Sequence, residues 1–348
     1  MGEPDPAELR RRLLAWYRER KRDLPFRRTR DPYAILVAEV LLQRTRVKAG
    51  LPYYERFLAA FPSVRALAEA PEAEVLRAWE GLGFYRRARN LHRAAKTIVD
   101  RHGGEVPADF DALRSLPGVG DYTAGAVGSI AFGLRVPAVD GNAVRVLARV
   151  HRLEEDVSRG LGRRRLVGLA AESVPPVSPG EWNQALMELG ATVCLPRTPH
   201  CQACPISSEC LAFAAGVQGE LPRTAAKKES RVEPVVFVVA HRGTSVLLVR
   251  REEGLHAGLY ALVGGRREEA ETDEQAARRH LRDLGVSSRS LAVLGPVRHT
   301  FSHLRWQGTA FLAEARGEPA GAEWVPRTRL NAIPLVPLHR RLISRAFP

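Results

Sequence analysis

The chain has 348 residues, 45% of them hydrophobic, so it is long enough for about two domains with proper cores. Its 53 Lys and Arg outnumber 39 Asp and Glu, and the net charge of +14 indicates a polyanionic partner, of which nucleic acid is the first candidate. An arginine-rich proteome would give the same excess of positive charge. No apolar run approaches the roughly 18 residues of a membrane span, and no signal-peptide segment is present. We therefore expect a cytoplasmic, nucleoid-associated protein that does not engage membranes.

The first predicted helices lead to a carboxylate inside an apolar segment. Leu9 to Arg22 has the pattern of a basic amphipathic helix, and Asp31-Pro32 offers an N-cap and a proline in the first turn of the next helix. Glu39 lies within that second helix, where burial would raise its pKa and let it hold a proton near neutral pH. The alternative is a glutamate that faces solvent or pairs with an arginine. Three polar residues that can line a cleft follow: Gln43, Arg44 and Thr45.

A glycine-rich turn, Gly81-Leu82-Gly83-Phe84-Tyr85, precedes the predicted helix Arg86 to His102. An exposed Phe84-Tyr85 pair beside arginines can wedge between bases while the arginines hold phosphates. The alternative is a pair of core aromatics under a turn.

The segment Leu116-Pro117-Gly118-Val119-Gly120 predicts a tight hairpin between two helices, the second starting at Asp121 or Tyr122. The amides of Gly118, Val119 and Gly120 would then point outward near a positive helix end, which suits a phosphodiester. Asp140, at the start of another predicted helix, would bring a carboxylate close to that bound backbone, which suggests chemistry on the sugar or base. An ordinary helix connection is the alternative for the hairpin alone.

All four cysteines lie in one short segment at the end of a chain that reads as helical up to about residue 215: Cys194, Cys201, Cys204 and Cys210. Four thiols grouped in this way suit a metal site better than two cytosolic disulfides. The spacing can hold zinc or a [4Fe-4S] cluster, and spacing alone does not separate the two.

The hydrophobic period changes after a polar linker at residues 216–233. Residues 234–348 alternate short strands with one long helix, and their order resembles a Nudix fold. Glu271 and Arg279 fall in register with the catalytic box of that fold, but His280 and Leu284 stand where metal-binding glutamates are needed. We therefore expect recognition by this domain and no diphosphate hydrolysis.

Together these motifs resemble the adenine DNA glycosylases of the MutY type, over nearly the whole chain. The resemblance rests on the segment around Glu39, the glycine turn, the hairpin, Val139-Asp140-Gly141-Asn142, the cysteine spacing and Phe301-Ser302-His303. It implies a multidomain protein. Residues 1–215 would form an all-α helix-hairpin-helix glycosylase fold with a [4Fe-4S] loop at 194–210, and residues 234–348 an α+β Nudix-like lesion-recognition domain.

The resemblance also implies a reaction, the removal of adenine opposite 8-oxoguanine or guanine. Glu39 would protonate the adenine and activate water, Asp140 would stabilise the sugar cation, and Tyr122 and Asn142 would orient the pair. Because Tyr122 stands where strand-cutting relatives carry a lysine, we expect a monofunctional enzyme that leaves an abasic site. The implied DNA-contacting residues are Arg27, Gln43, Arg44, Thr45, Leu82, Phe84, Gly118, Gly120, Phe301, Ser302 and His303.

The same resemblance favours a [4Fe-4S] cluster over zinc on the four cysteines, ordering a loop that carries Arg197 and His200. The expected partner is double-stranded DNA with a mispaired or oxidised base, bound by a monomer.

Three positions depart from the family pattern: Arg44 for a glutamine, Phe84 for a tyrosine and Phe26 for a tryptophan. An arginine at position 44 is also similar to what archaeal thymine-DNA mismatch glycosylases carry there. A thymine or broader mismatch glycosylase is therefore an alternative. A non-catalytic DNA damage-binding protein is the alternative of another class, and the two carboxylates argue against it.

Overall fold

The computed structural model describes residues 3–225, 230–301 and 304–348, with the backbone but not the side chain of Leu255. These residues form two compact units. The helical unit comprises residues 3–69 and 90–225, and the sheet unit comprises residues 70–89 and 230–348. The predicted domain boundaries at residues 215 and 234 stay a prediction. The two units in space are not continuous in sequence, because residues 70–89 belong to the sheet unit.

The described part of the helical unit is built from α-helices joined by short turns. They are α1 Pro6–Arg20, α2 Pro32–Leu42, α3 Val47–Ala60, α4 Val64–Glu69, α6 Arg86–His102, α7 Phe110–Ser115, α8 Asp121–Phe132, α9 Gly141–Val150, α10 Gly160–Ser173, α11 Pro179–Thr192 and α12 Leu211–Ala214; α5, Glu72–Ala78, belongs to the sheet unit, as do the first residues of α6.

Aspartate side chains begin several of these helices. Asp31 accepts a hydrogen bond from the Tyr33 amide at 3.0 Å and caps α2, with Pro32 in its first turn, as predicted. Asp109 caps α7 in the same way through the Ala112 amide at 2.8 Å. Such caps satisfy amides that have no partner within the helix, and therefore fix where each helix starts.

Helix α11 is the centre of the main core of the helical unit. Trp182 and Leu186 on α11, Leu13 and Tyr17 on α1, and Val146 on α9 are all at most 2% exposed and pack in one cluster. A fully buried large side chain stabilises the fold by about 1.5–3 kcal/mol, so this cluster holds α9 and α11 rigidly against each other.

Helix α3 starts five residues before the predicted start at Pro52. The Arg46 carbonyl accepts hydrogen bonds from Ala49 and Gly50, which forms a helical turn ahead of the proline. A Cβ atom on Gly50 would lie 2.6 Å from Leu42. Close packing of this turn on α2 explains why the helix extends past a residue that usually occupies the first turn.

The sheet unit contains a mixed sheet. Its described elements are β1 Arg231–Arg242, β2 Ser245–Arg250, β3 Tyr260–Arg266, α13 Asp273–Arg282, β4 Ser287–Ser288, β5 Ala292–Thr300, β6 Leu304–Arg316, β7 Glu323–Pro326 and α14 Pro337–Ala346. The strand order is β4-β6-β1-β3-β2-β7, with β5 paired to β6; β1 and β6 are parallel and the other pairs are antiparallel. Strand β1 begins within the segment predicted as linker.

Residues 70–89 pack against the sheet unit through specific contacts. Arg340 on α14 binds Glu80 through two hydrogen bonds of 2.5 and 2.9 Å. Arg89 donates to the Ala257 carbonyl, and a Cβ atom on Gly258 would lie 2.8 Å from the Leu76 side chain. Helix α5 and the glycine-rich turn therefore belong to the sheet unit in space.

No helix in the described part of the chain is both long enough and apolar enough to cross a bilayer.

Candidate active site

Glu39 and Tyr122 meet at the centre of the helical unit. Glu39 lies near the C-terminal end of α2, where eight of the eleven residues are buried. The Tyr122 hydroxyl, from the first turn of α8, donates a hydrogen bond to Glu39 Oε2 and lies 3.7 Å from Met187 Sδ on α11. Three helices therefore fix the orientation of this carboxyl group.

Burial raises the pKa of Glu39 to about 7. The Tyr122 hydrogen bond lowers that pKa, the negative charge of Asp140 raises it, and the positive charge of Arg27 lowers it. Burial and the two carboxylates raise the pKa of Tyr122 well above its ordinary value, so the hydroxyl keeps its proton and remains a donor. Glu39 can thus hold a proton near neutral pH, as the sequence predicted for a buried glutamate.

Asp140 caps helix α9. Its Oδ1 accepts from the amides of Asn142 and Ala143 at 2.9 and 2.7 Å, and its Oδ2 accepts from Asn142 Nδ2 at 2.7 Å. Burial raises the pKa of Asp140, while these hydrogen bonds lower it. They also leave little rotational freedom, so the carboxylate is held in one position beside Glu39.

Arg145 links this aspartate to the cysteine loop. Its Nη2 donates to Asn142 Oδ1 at 2.9 Å and to the Gly190 carbonyl at 2.6 Å, and its Nε donates to the Cys194 carbonyl at 2.7 Å. Sequence reasoning did not identify Arg145, because nothing local to α9 indicates a partner 49 residues away.

Helix α11 also carries an ion-pair network whose carboxylate is buried. Glu188 on α11 is 1% exposed and binds Arg22 and Arg27, with both guanidinium Nη2 atoms 2.7 Å from its Oε2. Burial alone would raise the pKa of Glu188, but the two arginine hydrogen bonds outweigh it and bring the pKa to about 2. The Arg27 side chain is only 9% exposed. Sequence reasoning did not identify Glu188 as a site residue, although a glutamate inside the apolar pattern of α11 could have indicated a buried carboxylate.

The turn after α2 carries three predicted site residues. Gln43 Nε2 donates to Thr123 Oγ1 at 3.1 Å, which ties the turn to α8, and Thr45 Oγ1 lies 3.4 Å from the Gln43 carbonyl. Arg44 is exposed and adopts the left-handed conformation with φ of 57°. Because few non-glycine residues take that conformation without a structural reason, the turn presents Arg44 outward in a defined way.

The predicted hairpin is present, with one correction. Gly118 has φ of 79°, and a Cβ atom there would lie 2.5 Å from Asn90, so only glycine fits. Gly120 is the N-cap of α8, and the first amides of that helix have no intrahelical partner. The Val119 amide does not point outward as expected: it donates to the Leu116 carbonyl at 3.0 Å, which closes the turn.

An open cavity of about 660 Å³ lies beside Tyr122. Its lining includes Pro137 and Val139, which precede Asp140, and two arginines of α10, Arg163 and Arg164. The cavity gives Tyr122 access to solvent through a positively charged mouth.

The four cysteines surround one small cavity, whose lining also includes Arg149. Arg149 is 1% exposed, and its Nη1 lies 3.2 Å from Cys194 Sγ and 2.8 Å from the Leu195 carbonyl. Among the described residues, no three His, Cys, Asp or Glu side chains are close enough to hold a single metal ion. Arg197 and His200 are exposed on the same loop.

The glycine-rich turn belongs to the sheet unit and presents one aromatic ring. Phe84 is 47% exposed with φ of 50°, whereas Tyr85 is 3% exposed. Of the two interpretations of this pair, exposed wedge and core aromatics, Phe84 therefore fits the first and Tyr85, which packs under the turn, fits the second. Leu82 is partly exposed.

In the sheet unit, Phe301 is partly buried, with its ring centroid 4.8 Å from that of Trp306. Ser302 and His303 lie outside the described residues. Glu271 and Arg279, in register with the Nudix box, bind each other at 2.6 Å instead of facing a metal site.

Comparisons with known proteins agree with this arrangement. Residues 37–169 match the HhH-GPD superfamily of base excision DNA repair proteins, and residues 235–345 match the NUDIX domain. The adenine DNA glycosylase of Homo sapiens is 36% identical over 385 residues, covering 92% of this chain and 70% of the relative; that of Mus musculus is 35% identical, covering 92% and 74%. The chain belongs to the adenine DNA glycosylase family.

Two solved structures are similar to about three fifths of the chain. A thermostable thymine-DNA glycosylase is 31% identical with a TM-score of 0.55, covering 60% of this chain and 97% of that one. An endonuclease III–DNA complex, 24% identical with a TM-score of 0.52 over 62% of this chain and 99% of that one, shows the same fold.

As a member of the adenine DNA glycosylase family, the chain is a DNA repair glycosylase and binds DNA. Its helical part has the helix-hairpin-helix glycosylase fold, and its C-terminal part is Nudix-like.

Proposed function

We propose that the enzyme excises adenine mispaired with 8-oxoguanine or guanine and leaves an abasic site. The observation that carries the proposal is the pair of carboxyl groups at the centre of the helical unit, with the pKa of Glu39 at about 7 and Asp140 held by three hydrogen bonds. Cleavage of a glycosidic bond needs one proton donor and one anionic partner. Glu39 and Asp140 have these two properties.

In this mechanism Glu39, in its protonated form, transfers its proton to N7 of the extrahelical adenine. The C1′–N9 bond then breaks and its electron pair leaves with the base, which departs neutral. The Asp140 carboxylate stabilises the positive charge left on the sugar. Glu39, now ionised, removes a proton from the water that adds to C1′, and so returns to its starting state.

Tyr122 and Asn142 act as positioning residues in this proposal. The Tyr122 hydroxyl orients Glu39, and the Asn142 amide orients Asp140. Tyr122 has no amine that could act as a nucleophile at this position, which supports a monofunctional enzyme. Arg27, fixed by Glu188, stands close enough to influence the charge of Glu39 and would face the adenine.

The remaining predicted contacts would hold the DNA. The hairpin around Gly118 and Gly120 would bind phosphate. Gln43, Arg44 and Thr45 would insert into the duplex at the mispaired bases. Leu82 and Phe84 would wedge between bases, and Phe301, Ser302 and His303 would read the oxidised guanine. The enzyme would act as a monomer on duplex DNA.

We also propose that Cys194, Cys201, Cys204 and Cys210 hold a [4Fe-4S] cluster. The four side chains share one cavity with the buried cation Arg149, which suits a cluster of net negative charge. When bound, the cluster would cross-link the loop that carries Arg197 and His200.

Thymine opposite guanine is the second candidate substrate. The exposed, left-handed Arg44 and the 31% identity to a thymine-DNA glycosylase favour it. A guanidinium in the lesion pair can donate to a guanine edge, which would change the opposite-base preference.

Single-turnover base release separates these candidates. Duplexes would carry adenine opposite 8-oxoguanine, adenine opposite guanine, or thymine opposite guanine, with alkali to cut the abasic sites. Fastest release at adenine opposite 8-oxoguanine supports the main proposal, and preferential loss of thymine supports the second. Loss of release in Glu39→Gln and Asp140→Asn, with DNA binding kept, would support the assigned roles; unchanged turnover in both would overturn them.

A further inference from the structure

The sheet unit contains a cavity of about 210 Å³ that none of the proposed catalytic steps uses. Aromatic rings form its walls: the Phe237 centroid lies 5.4 Å from that of Trp306 and 4.4 Å from that of His339, and His256 lies 5.7 Å from Trp306. We call it the sheet cavity. Walls of this kind suit a flat, polarisable ring.

His339, in the lining of the sheet cavity, carries an unsatisfied polar group. It is 2% exposed, and its Nδ1 accepts a hydrogen bond from the Leu262 amide at 3.0 Å. Nδ1 must therefore be the unprotonated nitrogen, and in the neutral ring the proton sits on Nε2. Burial lowers the pKa of His339 well below its ordinary value, so the ring is neutral. Nε2 has no hydrogen-bond partner among the described residues.

A buried N–H without an acceptor destabilises the fold, so a ligand that brings an acceptor to Nε2 would gain affinity. Glu233 offers the complementary group. Its Oε2 accepts from Trp306 Nε1 at 3.0 Å, and an ionised carboxylate can accept further hydrogen bonds. The cavity thus presents one donor and one acceptor between aromatic walls.

Arg251 and Arg266, also in the lining, are exposed, so the sheet cavity reaches the surface beside positive charge. Its volume is below the roughly 300–1,000 Å³ of pockets that enclose drug-sized ligands. A single ring system fits such a volume better than a whole nucleotide does, and a sugar or phosphate attached to that ring would reach the arginines.

We propose that the sheet cavity binds one nucleobase, whose ring acceptor bonds His339 Nε2 and whose neighbouring N–H bonds Glu233. Adenine has this arrangement in its N1 and its amino group. The base can come from solution or from an extrahelical nucleotide of bound DNA. No bond is made or broken in this site, and the proposal does not depend on which base the enzyme excises.

The test uses the full chain labelled with 5-fluorotryptophan and titrated with 9-methyladenine. Of its five tryptophans, the Trp306 fluorine resonance is assigned with a Trp306→Phe variant. We expect this resonance to shift saturably, and His339→Asn to weaken the binding about tenfold, the loss of one well-placed hydrogen bond. His241→Asn is the matched control, because His241 lies on β1 outside the cavity lining.

A second ligand and a second variant test the site even if His339→Asn folds poorly. The N6,N6-dimethyl form of 9-methyladenine has no amino N–H for Glu233 and should bind the wild type about tenfold more weakly. Glu233→Leu, which has no side-chain acceptor, should remove that difference. A Trp306 resonance that stays unmoved up to about 10 mM ligand, or equal affinities for the two ligands, would overturn the proposal.

Competition then identifies the source of the base. Displacement of 9-methyladenine by a duplex with one extrahelical adenine, but not by a fully paired duplex, would assign the cavity to a DNA base. Unchanged binding of 9-methyladenine in the presence of both duplexes would assign it to a free base.

Discussion

Glu39→Gln should stabilise the helical unit at the same time as it abolishes base release. In the folded protein the pKa of Glu39 is about 7, against an ordinary value of 4.5. Below pH 4.5 the carboxyl is protonated in both the folded and the unfolded chain, so its ionisation costs no stability. As the pH rises from 4.5 to 7, the unfolded chain ionises freely while the folded chain does not.

Each pKa unit corresponds to 1.36 kcal/mol, so the penalty at pH 8 is about 3 kcal/mol. Glutamine never ionises and keeps a similar shape. The variant should therefore match the wild type near pH 4.5 and exceed its free energy of unfolding by about 2–3 kcal/mol at pH 8.

Urea unfolding at both pH values, followed by the circular dichroism of the helices, measures this difference. Glu55→Gln, on the exposed face of α3, removes the same charge and should change the free energy by less than about 0.5 kcal/mol at either pH. A stabilisation that is absent at pH 8, or equal at both pH values, would show that Glu39 carries no ionisation penalty and would remove the argument for its role as proton donor.

Three other substitutions have expected outcomes. Tyr122→Phe removes a hydrogen bond that lowers the pKa of Glu39, so that pKa should rise above its wild-type value of about 7 and base release should extend to higher pH. A pH–rate profile measures the change, with Tyr33→Phe as control because the Tyr33 hydroxyl donates to the Phe61 carbonyl instead. Gly118→Ala should destabilise the chain by about 1–3 kcal/mol, whereas Gly120→Ala, whose Cβ meets no other part of the protein, should not destabilise it strongly. Thermal unfolding compares the two variants, and equal effects would refute the steric argument. Glu188→Gln should lower the free energy of unfolding by about 3–5 kcal/mol at pH 7, because Arg22 and Arg27 lose a buried partner. Since the folded pKa of Glu188 is about 2, the wild type should lose this stability as the pH falls from 4.5 towards 2. Unfolding measurements in which the wild type and the variant differ as much at pH 3 as at pH 7 would contradict this.

Features that depend on nearby residues could be predicted from the sequence. The proline and capping aspartate at α2, the buried glutamate within it and the aspartate that starts α9 each depend on neighbours a few positions away. Periodicity and capping report such short-range geometry directly. The roles of Glu39 and Asp140 in catalysis stay predictions.

Features that depend on distant packing could not be predicted in this way. Glu188 binds arginines more than 160 residues earlier in the chain, and no local pattern encodes that pairing. Tyr85 and Phe84 are chemically similar neighbours, yet the turn buries one and exposes the other. The sequence of the hairpin also does not determine whether the Val119 amide faces outward or, as in the structure, donates to the Leu116 carbonyl.

The assignment of residues 70–89 to the sheet unit has a consequence for biosynthesis. The ribosome synthesises α5 and the turn bearing Phe84 about 150 residues before β1, so the side chains of Val75, Leu76 and Trp79 emerge before the strands of their unit exist. A polypeptide cut at the linker would leave this apolar segment without its sheet, and would aggregate more readily than the intact chain. The segment that presents Phe84 thus completes its folding only after the last third of the protein has been translated.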